Sequence, residues 1–322
     1  MSSTIAKPEA AGTAFRHPVR RQSLREYAEI FAMLLPNLIL VAVFIIYPFV
    51  WTIKFMFFSY DGTPGNEAEF VALDNFVRIF TRDPQFWNSV WNTFVYAAGK
   101  IALVIPVAFL TAILLNRKKR GETVFQAIVF LPTIMSSAVM ALVFYLLFNA
   151  YNGEINRFLM WCGLFQSPLD WLDMQHAMLT CVLVAFWGGL GNYMVYFLAG
   201  LQGIPAELYE SASIDGVNRV QKMWHITLPM LGPILKIILM LSIVNAFNDM
   251  GSILVLTGGG PVDATMVMML YGYQFFFPIS AGVPVSAQFG YGATVSMVSA
   301  VIIGLVTVIY LVASRKLDDI AE

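Results

Sequence analysis

Six long apolar stretches dominate this 322-residue chain and restrict it to a membrane fold. A helix needs about 20 mostly apolar residues to cross the hydrocarbon core of a bilayer. Because backbone groups find no water to bond there, we expect every stretch to be helical. The predicted spans of this all-α membrane protein are residues 30–53, 89–115, 123–148, 177–203, 230–256 and 290–314. The apolar segment 265–277 is too short to cross, and we expect it to be interfacial or re-entrant.

The composition excludes several other classes of protein. Charged residues make up 12% of the chain, about half the share that is typical of soluble domains. The net charge of −1 argues against a strongly basic nucleic-acid-binding protein. The two cysteines lack any motif spacing and the three histidines are scattered, so we expect neither a disulfide framework nor a metal site.

The positions of Lys and Arg predict the orientation of the spans. The two tails and the loops after spans two and four hold 13 of these residues, whereas the opposite loops 54–88, 149–176 and 257–289 hold 4. Positive charge collects on the cytoplasmic side of a bacterial inner membrane. We therefore expect a cytoplasmic tail over 1–29, a membrane domain over 30–315 and a second cytoplasmic tail over 316–322.

The longest cytoplasmic loop, 204–229, has the sequence features of two short helices. Pro205 suits a first helical turn, and Gly216 suits the left-handed geometry that ends a helix. Asn218 and Gln221 have the spacing of a capping box, and Pro229 marks the start of the fifth span. On these residues alone, a simple connecting hairpin and a docking element for a partner stay equally open.

The same loop resembles the Glu-Ala-Ala motif of binding-protein-dependent ABC importer permeases. That motif runs Glu-Ala-Ala, three residues, Gly, nine residues, Ile-x-Leu-Pro. This chain has Glu210-Ser211-Ala212, Gly216 and Ile226-Thr227-Leu228-Pro229 at the same spacing, with Ser211 in place of the first Ala. Two further segments are similar to the maltose-type first permease of the oligosaccharide branch: Leu-Thr-Gly-Gly-Gly-Pro at 256–261 and Phe-Leu-Pro-Thr at 130–133.

The resemblance implies a type I ABC importer permease fold and a set of partners. The chain would translocate a sugar, of di- or oligosaccharide size, that an external solute-binding protein delivers. It would work by alternating access, beside a second homologous permease and two ABC ATPase subunits that bind ATP and Mg. The chain has no G-x-x-x-x-G-K-[ST] phosphate loop, so we expect a transport subunit without a cofactor of its own rather than an enzyme.

The resemblance also assigns the loop to coupling with the ATPase, with Glu210 and Gly216 as the main contacts. The residues expected to couple are Glu207, Glu210, Ser211, Ala212, Asp215, Gly216, Ile226, Leu228 and Pro229.

Polar residues within spans four and five indicate where a substrate passes. Ser242, Asn245, Asn248, Asp249 and Ser252 have helical spacings that place them on one face of span five. Such a face either hydrogen-bonds neighbouring helices or lines a wet path for a hydroxyl-rich ligand.

Span four carries a glycine-rich segment that either packs closely against a neighbour or breaks the helix. By resemblance to the maltose-type permease, Gly189, Asn192, Phe247 and Asn248 line the sugar site. The full predicted path is Trp187, Gly189, Asn192, Tyr193, Asn245, Phe247, Asn248 and Asp249.

Three alternative functions compete with sugar import through an ABC complex. A glycerol-phosphate or polyol importer is the runner-up, but a phosphate ester favours Arg or Lys in the path, where the polar face offers Asp249. An ion-coupled secondary transporter favours paired intramembrane charges, and Asp249 has no evident partner in the sequence. A membrane-embedded enzyme needs a catalytic constellation that the sequence lacks. For Lys100, deep in span two, a partner carboxylate and a position facing the path both stay open.

Overall fold

The computed structural model describes residues 24–63, 65–116, 121–278 and 287–321, with side chains between 29 and 315. Most of the predicted N-terminal tail, the basic run 117–120 and the side chains of the C-terminal tail lie outside the described residues. The chain divides into two compact units, residues 1–51 and 52–322. Helix α1 (Leu24–Val41) continues through a π-helical turn (Ala42–Ile46) into α2 (Tyr47–Phe55).

Among its described residues, the second unit contains helices and one short strand pair. Strand β1 (Phe58–Ser59) pairs antiparallel with β2 (Glu69–Phe70), with Phe58 opposite Phe70. The helices before the loop 204–229 are α3 (Asp74–Thr81), α4 (Pro84–Leu115), α5 (Glu122–Ile134), α6 (Ser137–Leu147), α7 (Glu154–Trp161) and α8 (Ala177–Gln202). The helices that follow are α9 (Ala206–Ile214), α10 (Arg219–Lys222), α11 (Leu228–Asn248), α12 (Gly251–Leu256), α13 (Met268–Phe276) and α14 (Phe289–Ala321).

Helix α4 forms the centre of the second unit, where it packs along α8 and also contacts α11 and α13. Asp83 caps its N-terminus by accepting the amide of Phe86 at 3.0 Å. The same carboxylate accepts hydrogen bonds from the hydroxyls of Tyr271 and Tyr291, which join α13 and α14 to the start of α4. Burial and the hydrogen bond to Asp83 raise the pKa of Tyr271, so its hydroxyl stays protonated and donates.

The third predicted span is interrupted, so the expectation of one helix over 123–148 is wrong. Helices α5 and α6 meet at an angle of 99° across Met135 and Ser136. Both residues are extended, and the Ser136 side chain accepts the amide of Val139 at 3.3 Å to begin the new helix. Among the described helices, five are long and apolar enough to cross a bilayer, and the bent pair gives up to six.

The fifth predicted span differs from expectation at its far end. Its helix α11 begins at Leu228 with Pro229 in the first turn, as expected, and α10 leads into it through a π-helical turn (Met223–Thr227). The expected single helix over 230–256 is wrong, because Asp249 is extended and ends α11 before α12 begins at Gly251.

Span four is unbroken through its glycines. Of the two alternatives for its glycine-rich segment, a helix break or close packing, α8 shows close packing. A Cβ at Gly191 would lie 2.8 Å from the Cα of Phe130 in α5. The short apolar segment 265–277 contains the nine-residue helix α13, which is too short to cross, as predicted. Its buried residues pack against α14 and α4.

Candidate functional site

A polar cavity of about 380 Å³ lies between α4, α8 and the two interrupted spans. Its volume is within the range of sites for small organic ligands. The wall is formed by Lys100, Pro132, Met135, Ser137, Met140, Val184, Ala185, Gly188, Gly189, Asn192, Tyr193, Asn245, Asn248, Asp249 and Ser252.

Both helix interruptions open onto this cavity. Pro132, Met135 and Ser137 come from the break between α5 and α6, and Asn248 and Asp249 come from the break after α11. An interrupted helix leaves backbone groups that need polar partners, so breaks within a membrane are tolerated where they line a cavity. The cavity is therefore the kind of place where two broken helices are tolerated within a membrane.

A charged pair lies on the same wall. The Lys100 ammonium, near the middle of α4, donates to Oδ2 of Asp249 at 2.7 Å. The Tyr96 hydroxyl donates to the same oxygen at 2.6 Å. The side chains of Lys100 and Asp249 are 11% and 19% exposed, so neither charge is well solvated on its own. Pairing is what makes both tolerable at this depth.

The pair corrects the sequence interpretation of Asp249, which has a partner after all. Of the two alternatives for Lys100, both hold, since it pairs with a carboxylate and faces the cavity. Sequence reasoning missed the pairing because the residues are far apart in the chain. An isolated Lys and an isolated Asp in different spans were the available signal, since each is costly alone in a membrane.

Six of the eight residues of the predicted path lie on the cavity wall: Gly189, Asn192, Tyr193, Asn245, Asn248 and Asp249. The structure places the other two elsewhere. Phe247 is buried and its ring meets the Phe94 ring edge-on at a centroid distance of 5.0 Å. Trp187 is 49% exposed, away from the wall.

The polar face of span five divides into two parts. Ser242 is buried and donates to the carbonyl of Leu239 within its own helix. Asn245, Asn248 and Asp249 line the cavity, and Ser252 joins them from α12. Within the described part of the chain, the buried Ser252 hydroxyl has no hydrogen-bond partner.

The loop 204–229 is a compact helical hairpin, as predicted from its caps. Gly216 has φ +74°, and its neighbour Val217 donates to the carbonyl of Ala212 at 2.9 Å. Asn218 and Gln221 form the predicted capping box at the start of α10. The Tyr209 hydroxyl lies 3.0 Å from that of Thr227, which ties α9 to the π-helical turn.

The hairpin presents most of the predicted coupling residues at its surface. Exposed residues are Glu207, Glu210, Ser211, Asp215, Gly216 and Pro229; Ile226 and Leu228 are half-buried, and Ala212 is buried. Ile214 and Trp224 are also exposed, at 87% and 65%. Exposed large apolar side chains that lie together are typical of a surface that contacts another protein or a membrane.

An array of apolar spans, a central polar cavity and a surface hairpin on the loop between spans four and five define a multi-pass membrane permease. The family model for the binding-protein-dependent transport system inner membrane component matches residues 104–318, and the chain belongs to this family.

Two curated relatives and one solved structure show how far the similarity extends. The arabinooligosaccharide transport system permease protein AraP of Bacillus subtilis is 33% identical, over 84% of this chain and 83% of AraP. The trehalose/maltose transport system permease protein MalF of Thermococcus litoralis is 32% identical, over 90% and 94%. The fold matches a bacterial ABC transporter involved in the import of the acidic polysaccharide alginate, with a TM-score of 0.77, 23% identity and coverage of 91% and 96%.

Proposed function

We propose that this chain is the permease subunit of an ATP-driven importer for a neutral sugar of di- or oligosaccharide size. The observation that carries the proposal is the cavity, whose wall offers three amides, a tyrosine and two serines beside a neutralised charge pair. Sugar hydroxyls both donate and accept, and this wall supplies both kinds of partner. Relatives named for arabinooligosaccharide, trehalose and maltose transport support the choice of substrate.

The proposed partners are those of a binding-protein-dependent importer. An external solute-binding protein would deliver the sugar, and a second homologous permease would complete the path. Two ATPase subunits would bind ATP and Mg. They would also contact the hairpin of α9 and α10, whose exposed acidic and apolar residues suit such a contact. This chain would hold no nucleotide, and its termini would be cytoplasmic, in agreement with the distribution of Lys and Arg.

The glycerol-phosphate alternative is less favoured by the cavity. A phosphate ester needs a cation that is free to bind it. Lys100 is the cationic side chain on the described wall, and it is held by Asp249.

The proposal is tested by reconstituting the complete importer in proteoliposomes with its binding protein. We expect uptake of a neutral sugar to require ATP and to survive collapse of the proton and sodium gradients. A panel of trehalose, maltose, lactose and arabinotriose, with glycerol 3-phosphate for comparison, identifies the substrate class. Uptake that continues without ATP but stops when the ion gradients collapse would identify a secondary transporter instead.

A further inference from the structure

The charge pair stands apart from the rest of the cavity wall. Lys100 and Asp249 are the charged side chains among the described residues that form this wall, and they carry opposite signs. Their contact of 2.7 Å makes the wall neutral overall while leaving both charges beside the volume that a ligand occupies. A pair that served only to hold two helices together would not need to face the cavity.

Lys100 and Asp249 keep hydrogen-bonding groups that their contact with each other does not use. Oδ2 of Asp249 accepts from both Lys100 and Tyr96, whereas Oδ1 has no hydrogen bond to any described residue. One of the three ammonium protons of Lys100 goes to Asp249. Donors and acceptors on this wall are therefore left for an occupant.

We propose that the Lys100–Asp249 pair determines the charge specificity of the transport path, admitting neutral sugars and rejecting both uronates and amino sugars. The inference rests on the proposed function, since it assigns a substrate class to the same cavity. It assigns one shared role to Lys100 and Asp249, which the sequence alone did not connect.

The physical basis is the cost of separating the pair. A uronate carboxylate that approaches Lys100 is also brought close to the Asp249 carboxylate, and like charges in a poorly solvated site repel strongly. The ammonium group of a protonated amino sugar that approaches Asp249 is likewise brought close to the Lys100 ammonium, and the two like charges repel. A neutral hydroxyl bonds to the free oxygen of Asp249 or to a remaining proton of Lys100 without parting them.

The test measures equilibrium binding to the complete importer in nanodiscs without its binding protein, so that the cavity itself is probed. Three disaccharide classes are compared: neutral (the tightest of maltose, trehalose and lactose), anionic (digalacturonate) and cationic (diglucosamine). For the unaltered importer, we expect both charged probes to bind at least tenfold more weakly than the neutral one. Equal affinity for either charged probe would overturn the proposal without any variant.

Two variants should shift the preference in opposite directions. Asp249→Asn leaves Lys100 unpaired, and we expect digalacturonate affinity to rise about tenfold while diglucosamine stays excluded. Lys100→Met leaves Asp249 unpaired, and we expect the reverse gain, for diglucosamine. Tyr96→Phe keeps both charges and serves as the matched control, with the order of the three probes unchanged.

The outcomes separate this proposal from the proposed function. If both charge variants lose binding of all probes in parallel, the pair is merely structural and the inference fails. If neutral sugars bind and are transported but Asp249→Asn shows no gain for digalacturonate, the inference again fails while sugar import stands. If the unaltered importer neither binds nor transports any sugar of the panel, the proposed function itself fails.

Discussion

A Cβ atom at Gly251 would lie 2.6 Å from the Oγ of Ser137, so the two interrupted spans meet beside their breaks with no room for a methyl group. Gly251 begins α12 and Ser137 begins α6, and these two helices pack against each other. The contact joins the parts of spans three and five that follow the breaks.

Gly251→Ala should therefore lower the thermal unfolding midpoint of the purified complex, by an amount that corresponds to about 1–3 kcal/mol of overpacking. Ser137→Ala should restore most of the loss in the double variant, because the Cβ of Ser137 is 3.5 Å away, an ordinary contact distance. Gly304→Ala is the matched control, since its Cβ would meet no described atom within 4 Å. A double variant as unstable as Gly251→Ala alone would contradict the assigned clash.

The buried charge pair should show a characteristic pattern of stability. Lys100→Met alone leaves the Asp249 carboxylate without its cation, and we expect a loss of about 3–5 kcal/mol. Replacing both residues, as Lys100→Met with Asp249→Leu, should cost much less, because an apolar pair needs no desolvation. Unfolding of the four combinations in detergent gives the coupling free energy. Equal and additive losses would show that the two residues do not interact.

Asn248 should matter for transport more than for stability. Its side chain is exposed to the cavity and donates only to the carbonyl of Val244 among the described residues. We expect Asn248→Leu to reduce sugar uptake at least tenfold while complex yield and melting temperature stay close to normal. Unchanged uptake kinetics would remove Asn248 from the substrate path.

Asn156→Leu should, in contrast to Asn248→Leu, mainly lower stability. Asn156 is buried and bonds to Ala150, Leu169 and Trp171. Its loss should leave several buried groups unpaired and lower stability by about 2–4 kcal/mol, as the melting temperature reports. If both variants behave alike, the distinction between cavity and core at these positions is wrong.

The hairpin of α9 and α10 should couple ATP hydrolysis to uptake. Gly216 has φ +74°, which proline cannot adopt, so Gly216→Pro should displace α9 from α10. We expect Gly216→Pro and Glu210→Arg to abolish uptake while the complex still assembles, as size-exclusion chromatography reports. Gly203→Ala, at the C-cap of α8 with φ −78°, is the control and should retain uptake. Full uptake by either coupling variant would argue against the assigned contact.

The local features of the hairpin could be predicted because each depends on neighbouring residues. Gly216 and the Asn218–Gln221 box specify their geometry within a few positions, and both match the structure. The number of spans also follows from length and hydropathy, since a bilayer demands about 20 apolar residues for each crossing.

The breaks and the charge pair depend on tertiary packing and could not be predicted in the same way. Pro132 lies within α5, three residues before the bend, so proline alone does not mark where the helix stops. Asp249 ends α11 where its carboxylate meets Lys100 and Tyr96, two residues about 150 positions earlier in the chain. The interval between them carries no local signal for that contact.

The unbroken path from α10 through the π-helical turn into α11 has a mechanical consequence. Residues 219–248 form a continuous helical rod, about 45 Å long at 1.5 Å per residue. A tilt of only about 5° about the Arg219 end would shift the Asn248 end by about 4 Å. Force applied at Arg219 thus reaches Asn248 without passing through a loop that could absorb it.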